Sequence, residues 1–273
     1  MSPPRSALSS ATAHDTASNR LGKLFQIAWL RALMGLKSEA RETRLGYLWW
    51  LIEPAMHLTV YYLVFGLLLR HGGDHYVAYL LVGIVHWLWF SKSIQNASSA
   101  ILVSRGLILQ LPLHTAIFPL AEVLRDALKQ LLVVAVLVAI LAVMGYPPNR
   151  LFLLYPLLFA LQLLLILPCA GLAAMLMPFF PDMRVIIPAG LQLGMFISGV
   201  FFTRDLIPTD YQWLLQLNPV YLILESQRDV LIRQSTPDWA SLGLLLVALL
   251  LANLATLMLF GRLNRRFARI VQE

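Results

Sequence analysis

Cysteine is almost absent. Cys169 is the single one in 273 residues, so no disulfide can form within the chain. Charge is scarce as well: Asp, Glu, Lys and Arg make up only 13% of the residues, where an ordinary soluble domain carries about a quarter. The first absence excludes a disulfide scaffold, and the second excludes both a disordered chain and a conventional soluble globule. A phosphate-binding loop is also missing. The only Gly-Lys pair, Gly22-Lys23, is followed by Leu24 where Ser or Thr is required. ATP hydrolysis by that route is therefore excluded. No Gly-x-Ser-x-Gly is present, and no nucleophile stands beside a base. No metal site is expected: His71, Asp74 and His75 share a glycine-rich turn, which explains them as turn polarity. Segment 1–20 is rich in Ser, Ala, Thr and Pro without an apolar stretch, so it reads as a mobile tail rather than a signal peptide.

Apolar residues are what the chain has in excess. They reach 59%, with a mean hydropathy of +0.72, which points to an all-α polytopic membrane protein. The formal charge is +7. In a soluble protein that balance would suggest nucleic acid, but basic residues in a membrane protein sort to the cytoplasmic side, and no nucleic-acid partner is expected.

Crossing the hydrocarbon takes about 20 apolar residues, and six blocks qualify: 45–69, 76–90 continuing through 91–100, 120–144, 151–177, 185–202 and 239–260. Breaker-rich turns at 71–75, 145–150 and 178–184 separate neighbouring blocks. Segment 21–37 repeats Leu21, Leu24, Phe25, Ala28, Leu33 and Leu36 near the helical period, interrupted by Lys23, Arg31 and Lys37. It reads either as an interfacial helix or as one packed on the protein's own cytoplasmic end, with a polar hinge at 38–44. Segment 101–119 is too broken to span and is assigned to the cytoplasm. Segment 203–238 mixes charges with short apolar runs, so re-entrant or interfacial helices are expected, divided at Asn218-Pro219. The resulting organisation is a tail (1–20), an interface helix with hinge (21–44), a six-helix transmembrane domain (45–262) with an outer gate segment (203–238), and a basic C-terminus (263–273). With both ends inside, thirteen Lys and Arg fall on the inner segments. Five fall outside, namely Arg70, Arg150, Arg204, Arg228 and Arg233. That asymmetry favours N-in, C-in.

Charges within the apolar blocks are few. Glu53 precedes Pro54 in the first block, with His57 four residues on. It reads either as a pathway or gating residue or as an acid paired with a neighbouring base. Glu122, Arg125, Asp126 and Lys129 open the third span at helical spacing and read as an ion-paired helix start. Aromatics crowd the ends of the blocks. An interfacial belt explains some of them. Tyr62, Phe65, Trp87, Trp89, Phe90, Phe196, Phe201 and Phe202 are the candidates for lining a channel, where ring faces would stack on sugar C–H surfaces.

The run Thr43-Arg44-Leu45-Gly46-Tyr47-Leu48-Trp49-Trp50-Leu51-Ile52-Glu53-Pro54, followed by Val60-Tyr61-Tyr62-Leu63-Val64-Phe65-Gly66, resembles the first-span signature of ABC-2 permeases that export O-antigen and capsular polysaccharide. The resemblance extends over about 21–267. It implies a homodimer paired with two copies of a separate ABC ATPase, which would hold the ATP and Mg²⁺, with no cofactor in this chain. It implies a lipid-linked glycan as cargo, possibly carried on undecaprenyl diphosphate, moved outward across the bacterial inner membrane. By the same resemblance Ser104, Arg105, Gly106, Pro112 and His114 would form the ATPase-coupling segment. Arg41 and Arg44 would either receive a lipid diphosphate or serve as plain cytoplasmic anchors. Rival readings are an ABC-2 exporter of teichoic acid, lipid or drug, an integral-membrane enzyme acting on lipid-linked sugars, and an ion-coupled carrier. The carrier would show repeated halves, which the sequence lacks.

Overall fold

The computed structural model describes residues 17–42, 44–68, 75–110 and 113–270. The first sixteen residues, the turn holding His71 and Asp74, Pro112 and the side chain of Phe65 lie outside the described set. The described residues form ten α-helices joined by short 3₁₀ and π segments, with no strand among them.

The chain opens with α1 (Ala17–Glu42), which is helical through the region where the sequence suggests a hinge. Ser38 to Arg41 carry nothing that breaks a helix, so the break moves to residues 44–48, where Gly46 takes φ +48°. After α2 (Trp49–Tyr61), a π segment (Tyr62–Leu68) carries the chain on. Helix α3 (Tyr76–Val103) is the central post: it packs on α2, α5, α6, α7 and α9. Ser104 ends it and passes the chain to the short α4 (Arg105–Gln110). Then come α5 (Ile117–Val143), α6 (Tyr155–Leu176) and α7 (Met183–Ile197). The outer segment holds α8 (Gln212–Gln216) and α9 (Pro219–Arg228), and α10 (Trp239–Ile270) closes the described chain.

The helix ends are chemically explicit. Gly145, at φ +97°, follows α5 and lets the Tyr146 N–H reach back to the Leu141 carbonyl at 2.9 Å. Asn218 caps α9 by accepting from Val220 N (3.0 Å) and Tyr221 N (3.3 Å), with Pro219 in the first helical position. The expected division at Asn218-Pro219 is therefore a cap. Asp238 caps α10 through Ala240 N, Ser241 N and the Ser241 hydroxyl, bonds that hold its carboxyl below the usual carboxylate range.

Among the described residues, four helices are long and apolar enough to cross a membrane: Tyr76–Val103, Ile117–Val143, Arg150–Leu176 and Trp239–Leu263. Two expected spans are less regular. The first divides into α2 and its π continuation. The fifth stops at Ile197, five residues short of the expected end, because the chain turns at Ser198-Gly199. The 15 residues of α7 rise only about 22 Å against a hydrocarbon core of about 30 Å. Large apolar side chains such as Leu193, Leu244, Val247 and Leu251 face outward, which suits lipid and would be costly in water. The sixth helix continues well past Phe260, so the basic end of the chain prolongs α10 to Ile270.

Gly199 is the tightest turn in this architecture. Its φ is +72°, and an added Cβ would stand 2.4 Å from the Tyr221 ring. Gly199→Ala therefore combines a backbone penalty of about 1–2 kcal/mol with overpacking of about 1–3 kcal/mol. The thermal unfolding midpoint of the purified protein in detergent is expected to fall by several degrees, and an unchanged midpoint would contradict this geometry.

Candidate functional site

The functional residues gather at the two ends of α3. At the end where α3 begins the organising group is Arg228, at the last turn of α9, with 0% exposure. Its guanidinium donates to the carbonyls of Gly199 (2.8 Å), Val200 (3.1 Å) and Tyr79 (3.3 Å), and to the Glu225 carboxylate (2.8 Å). It also lies 3.4 Å from the centroid of the Tyr79 ring. The Tyr79 hydroxyl reaches the Phe202 carbonyl at 2.7 Å and Glu225 at 3.0 Å. Arg233 occupies the second oxygen of Glu225 at 2.9 Å and holds Asp229 at 2.7 Å. One cation thus pins the outer segment to α3 and to the turn after α7. Gly83 makes room for it: a Cβ there would meet the guanidinium at 2.5 Å. This corrects the reading of Arg228 as an outer topology charge, since it is withdrawn from solvent and bonded on every side. Below it runs a polar thread through the apolar core, with Gln227 donating to Gln162 (2.7 Å), Gln162 to the His86 carbonyl (2.8 Å), and His86 bonded to the Tyr155 hydroxyl (2.7 Å).

At the other end, α1, α2, α3 and α5 meet in a lattice of ion pairs. Lys129 bonds Glu39 of α1 at 2.6 Å and Asp126 at 3.0 Å. Arg125 pairs with Glu122 and, at 3.4 Å, with Glu39. Asn96 donates to Asp126 at 2.8 Å. The expected ion-paired start of the third span is present, and it extends across to α1. Glu53 is ion-paired with Lys92 of α3, which is the paired-acid alternative drawn from the sequence. His57 turns to the Glu53 backbone carbonyl at 3.0 Å instead of the carboxylate.

Helix α1 is packed on α5 along one face and exposed along the other. Ala28 and Ala32 are buried against Ile117, Ala121 and Leu124 of α5, while Phe25, Trp29, Leu30 and Met34 remain exposed. Arg31 donates to the buried Ser104 hydroxyl at 2.7 Å, at the junction of α3 and α4, and lies 4.8 Å from the Phe118 ring centroid. Of the other coupling candidates, Arg105 and Gly106 are exposed in α4. His114 is half-buried, accepts from Ala116 N at 3.3 Å, and is held below the usual imidazole range by burial. Arg41 and Arg44 are both exposed around the end of α1.

The aromatic candidates separate into two groups. Trp87, Trp89, Phe90 and Phe201 are buried in the protomer core. Trp89 stacks on Phe159 at 4.4 Å between centroids, and Trp87 packs against Phe90 and against α7 at Gly194. Alanine at either Trp would open a core cavity, so a loss of export in such a variant would not report on sugar stacking. Tyr62 and Phe202 are half-buried and Phe196 is exposed. Tyr61 joins Phe201 (4.7 Å) and Phe196 (5.2 Å from Phe201) in one cluster where α2 meets the end of α7. Among the described residues, no group of three or more His, Cys, Asp or Glu could hold a metal ion.

These features define a polytopic α-helical membrane protein with a charged lattice at one end, a pinned outer segment at the other, and no cluster built for covalent or metal chemistry among the described residues. The chain belongs to the ABC-2 type transporter family, whose sequence profile matches residues 24–232. It is similar to the O-antigen export system permease protein RfbA of Klebsiella pneumoniae, 26% identical over 252 residues, covering 92% of this chain and 97% of that protein. It also resembles RfbA of Myxococcus xanthus, at 25% identity over 74% of this chain and 79% of the relative. The polysialic acid transport protein KpsM of Escherichia coli is 27% identical over 232 residues, or 82% of this chain and 87% of the relative.

Arg228 is the site residue that sequence reasoning passed over. Arg228→Met keeps the length but removes the guanidinium's bonds to three carbonyls and to the Glu225 carboxylate, which is left buried without that cation, a loss of about 3–5 kcal/mol. The protein is expected to aggregate or to lose its monodisperse elution in mild detergent. Arg228→Lys should be intermediate, since one ammonium cannot reach all four acceptors. Normal elution and an unchanged melting midpoint for Arg228→Met would contradict the pinning role.

Proposed function

We propose that this protein is the permease subunit of an ATP-driven exporter that moves lipid-linked polysaccharide, of O-antigen or capsule type, outward across the bacterial inner membrane. The observation that carries this reading is near full-length similarity to permeases named for O-antigen export, over 92% of this chain and 97% of the relative. The relative named for polysialic acid transport supports the same cargo class. ATP and Mg²⁺ belong to a separate ATPase, two copies of which pair with a homodimer of this chain. Both termini lie in the cytoplasm and the chain crosses six times, with α2 and α7 as the irregular crossings. The channel lies between protomers, along the exposed faces of α2 and α7.

In this reading α4 seats in the ATPase. It presents the exposed Arg105 and Gly106 and begins at Ser104, whose carbonyl accepts from Leu107 and Ile108. The Arg31–Ser104 bond ties that junction to α1, so a push on α4 is felt by the amphipathic helix. Only differential contact with the two states of the ATPase can turn such a push into opening. Arg41 and Arg44, exposed beside the start of α2, receive the diphosphate of the lipid carrier.

The direct test is to co-purify the chain with its ATPase and measure hydrolysis as lipid-linked glycan is added. Stimulation supports the reading, and stimulation by an unrelated lipid or drug but not by glycan overturns the cargo. Arg105→Glu is expected to weaken glycan-stimulated hydrolysis by about 5-fold or more while leaving membrane insertion intact, the range of a coupling free energy. Full stimulation in that variant would remove α4 from the coupling path. The double substitution Arg41→Gln, Arg44→Gln should raise the glycan concentration needed for half-maximal stimulation and leave basal hydrolysis unchanged.

A further inference from the structure

A slot of about 150 Å³ opens between α2, α3 and α5 at the charged end of the protomer. Its deep wall is apolar, formed by Val85, Leu88 and Val133 with Trp49, Trp50 and Pro54 beside them. Its mouth is charged on both signs: Lys92 and Lys129 face Glu39, Glu53 and Asp126. The slot shares Glu39, Lys92 and Lys129 with an adjoining cavity of about 770 Å³, to which Arg31, Arg125 and Glu122 contribute. Across the two spaces, four cations meet four carboxylates.

The ion pairs leave Glu39 Oε2 and Arg125 Nε without a hydrogen bond, and two neutral donors are open as well. Trp89 and Gln130 both line the slot, at 4% and 5% exposure. The indole Nε1–H and the side-chain amide nitrogen are buried with no hydrogen-bond partner among the described residues. Buried donors left open cost about 1–3 kcal/mol each and call for an acceptor.

We infer that this slot is a binding site for a zwitterionic phospholipid with a primary ammonium headgroup. The requirements converge on that chemistry. The apolar wall takes the start of an acyl chain. The open indole and amide donors take ester or phosphate oxygens. The two lysines take the phosphate charge, and the carboxylates at the mouth take the ammonium. A purely anionic headgroup meets three carboxylates against two lysines at the mouth, so it is repelled where the zwitterion is matched. A lipid held there bridges the first crossing to α3 and α5 and fixes the geometry of the Glu53–Lys92 pair.

The full-length protein, delipidated in detergent, is titrated with phosphatidylethanolamine and with phosphatidylglycerol of identical acyl chains and read by native mass spectrometry. Phosphatidylethanolamine is expected to bind about tenfold more tightly, the value of one charge-assisted hydrogen bond. Gln130→Leu and Trp89→Phe each remove one donor with little change of shape, and the latter keeps the ring against Phe159. Each should weaken phosphatidylethanolamine binding about 3- to 10-fold, and should weaken phosphatidylglycerol in proportion, because the two lipids share the ester and phosphate oxygens. Circular dichroism and elution volume establish that the variants fold. If Gln130→Leu fails to fold, Trp89→Phe alone decides. Equal binding of the two lipids, preference for the anionic one, or unchanged binding in the folded variants overturns the proposal. The readout contains neither glycan nor ATPase, so failure here leaves the export reading standing.

Discussion

A guanidinium withdrawn from solvent must find protein acceptors for its donors, and the upper half of this protein is arranged around that requirement. Arg228 takes two carbonyls from the turn after α7, one from α3 and a carboxylate from its own helix. Those carbonyls are free for it because α7 ends early and the chain reverses at Gly199. Gly83 supplies the space, and the Tyr79 ring covers one face. Three separate stretches of chain are thereby held in one place, and the outer segment is docked on α3 as part of the protomer body. The same physics explains why Glu225 has three partners: a carboxylate beside a buried cation is stable only when its remaining lone pairs are used.

The opposite end of the bundle solves a different problem. There the charges are partly exposed, each pair contributes little to stability, and what the lattice supplies is orientation. Glu39 commits the end of α1 to α5 through Lys129 and Arg125, and Lys92 commits α2 to α3 through Glu53. Arg31 adds a contact of another kind, reaching a hydroxyl at the α3–α4 junction. Helices α1, α2 and α4 are therefore referenced to the long helices α3 and α5.

The irregular helices α2 and α7, like the long α10, are left with open apolar faces. Helix α2 carries Pro54 and passes into a π segment, and α7 carries Pro188 and ends early. Both expose large apolar side chains, including Met56, Val60, Val185 and Ile186. The regular helices α3, α5 and α6 supply most of the packed core.

Much of this was legible without coordinates. Composition and the lengths of the apolar blocks determine an all-helical membrane protein, because only internally bonded helices satisfy the backbone in lipid. The i, i+3, i+4 and i+7 spacing of Glu122, Arg125, Asp126 and Lys129 announces an ion-paired helix start, and Asn218-Pro219 announces a division between helices, since both are local. Arg228 was not legible. Its partners lie 28, 29 and 149 residues away, and in one dimension it looks like any other charge in a polar loop. The burial of Trp87 and Trp89 was hidden for a similar reason, since a tryptophan near a helix end serves equally well in an interface belt, a channel wall or a core. Sequence by itself determined which segments are helical and what solvent they need. Only the tertiary structure decided which charges are paired, which rings are core and where donors remain open, because those outcomes depend on distances between helices that no local pattern encodes.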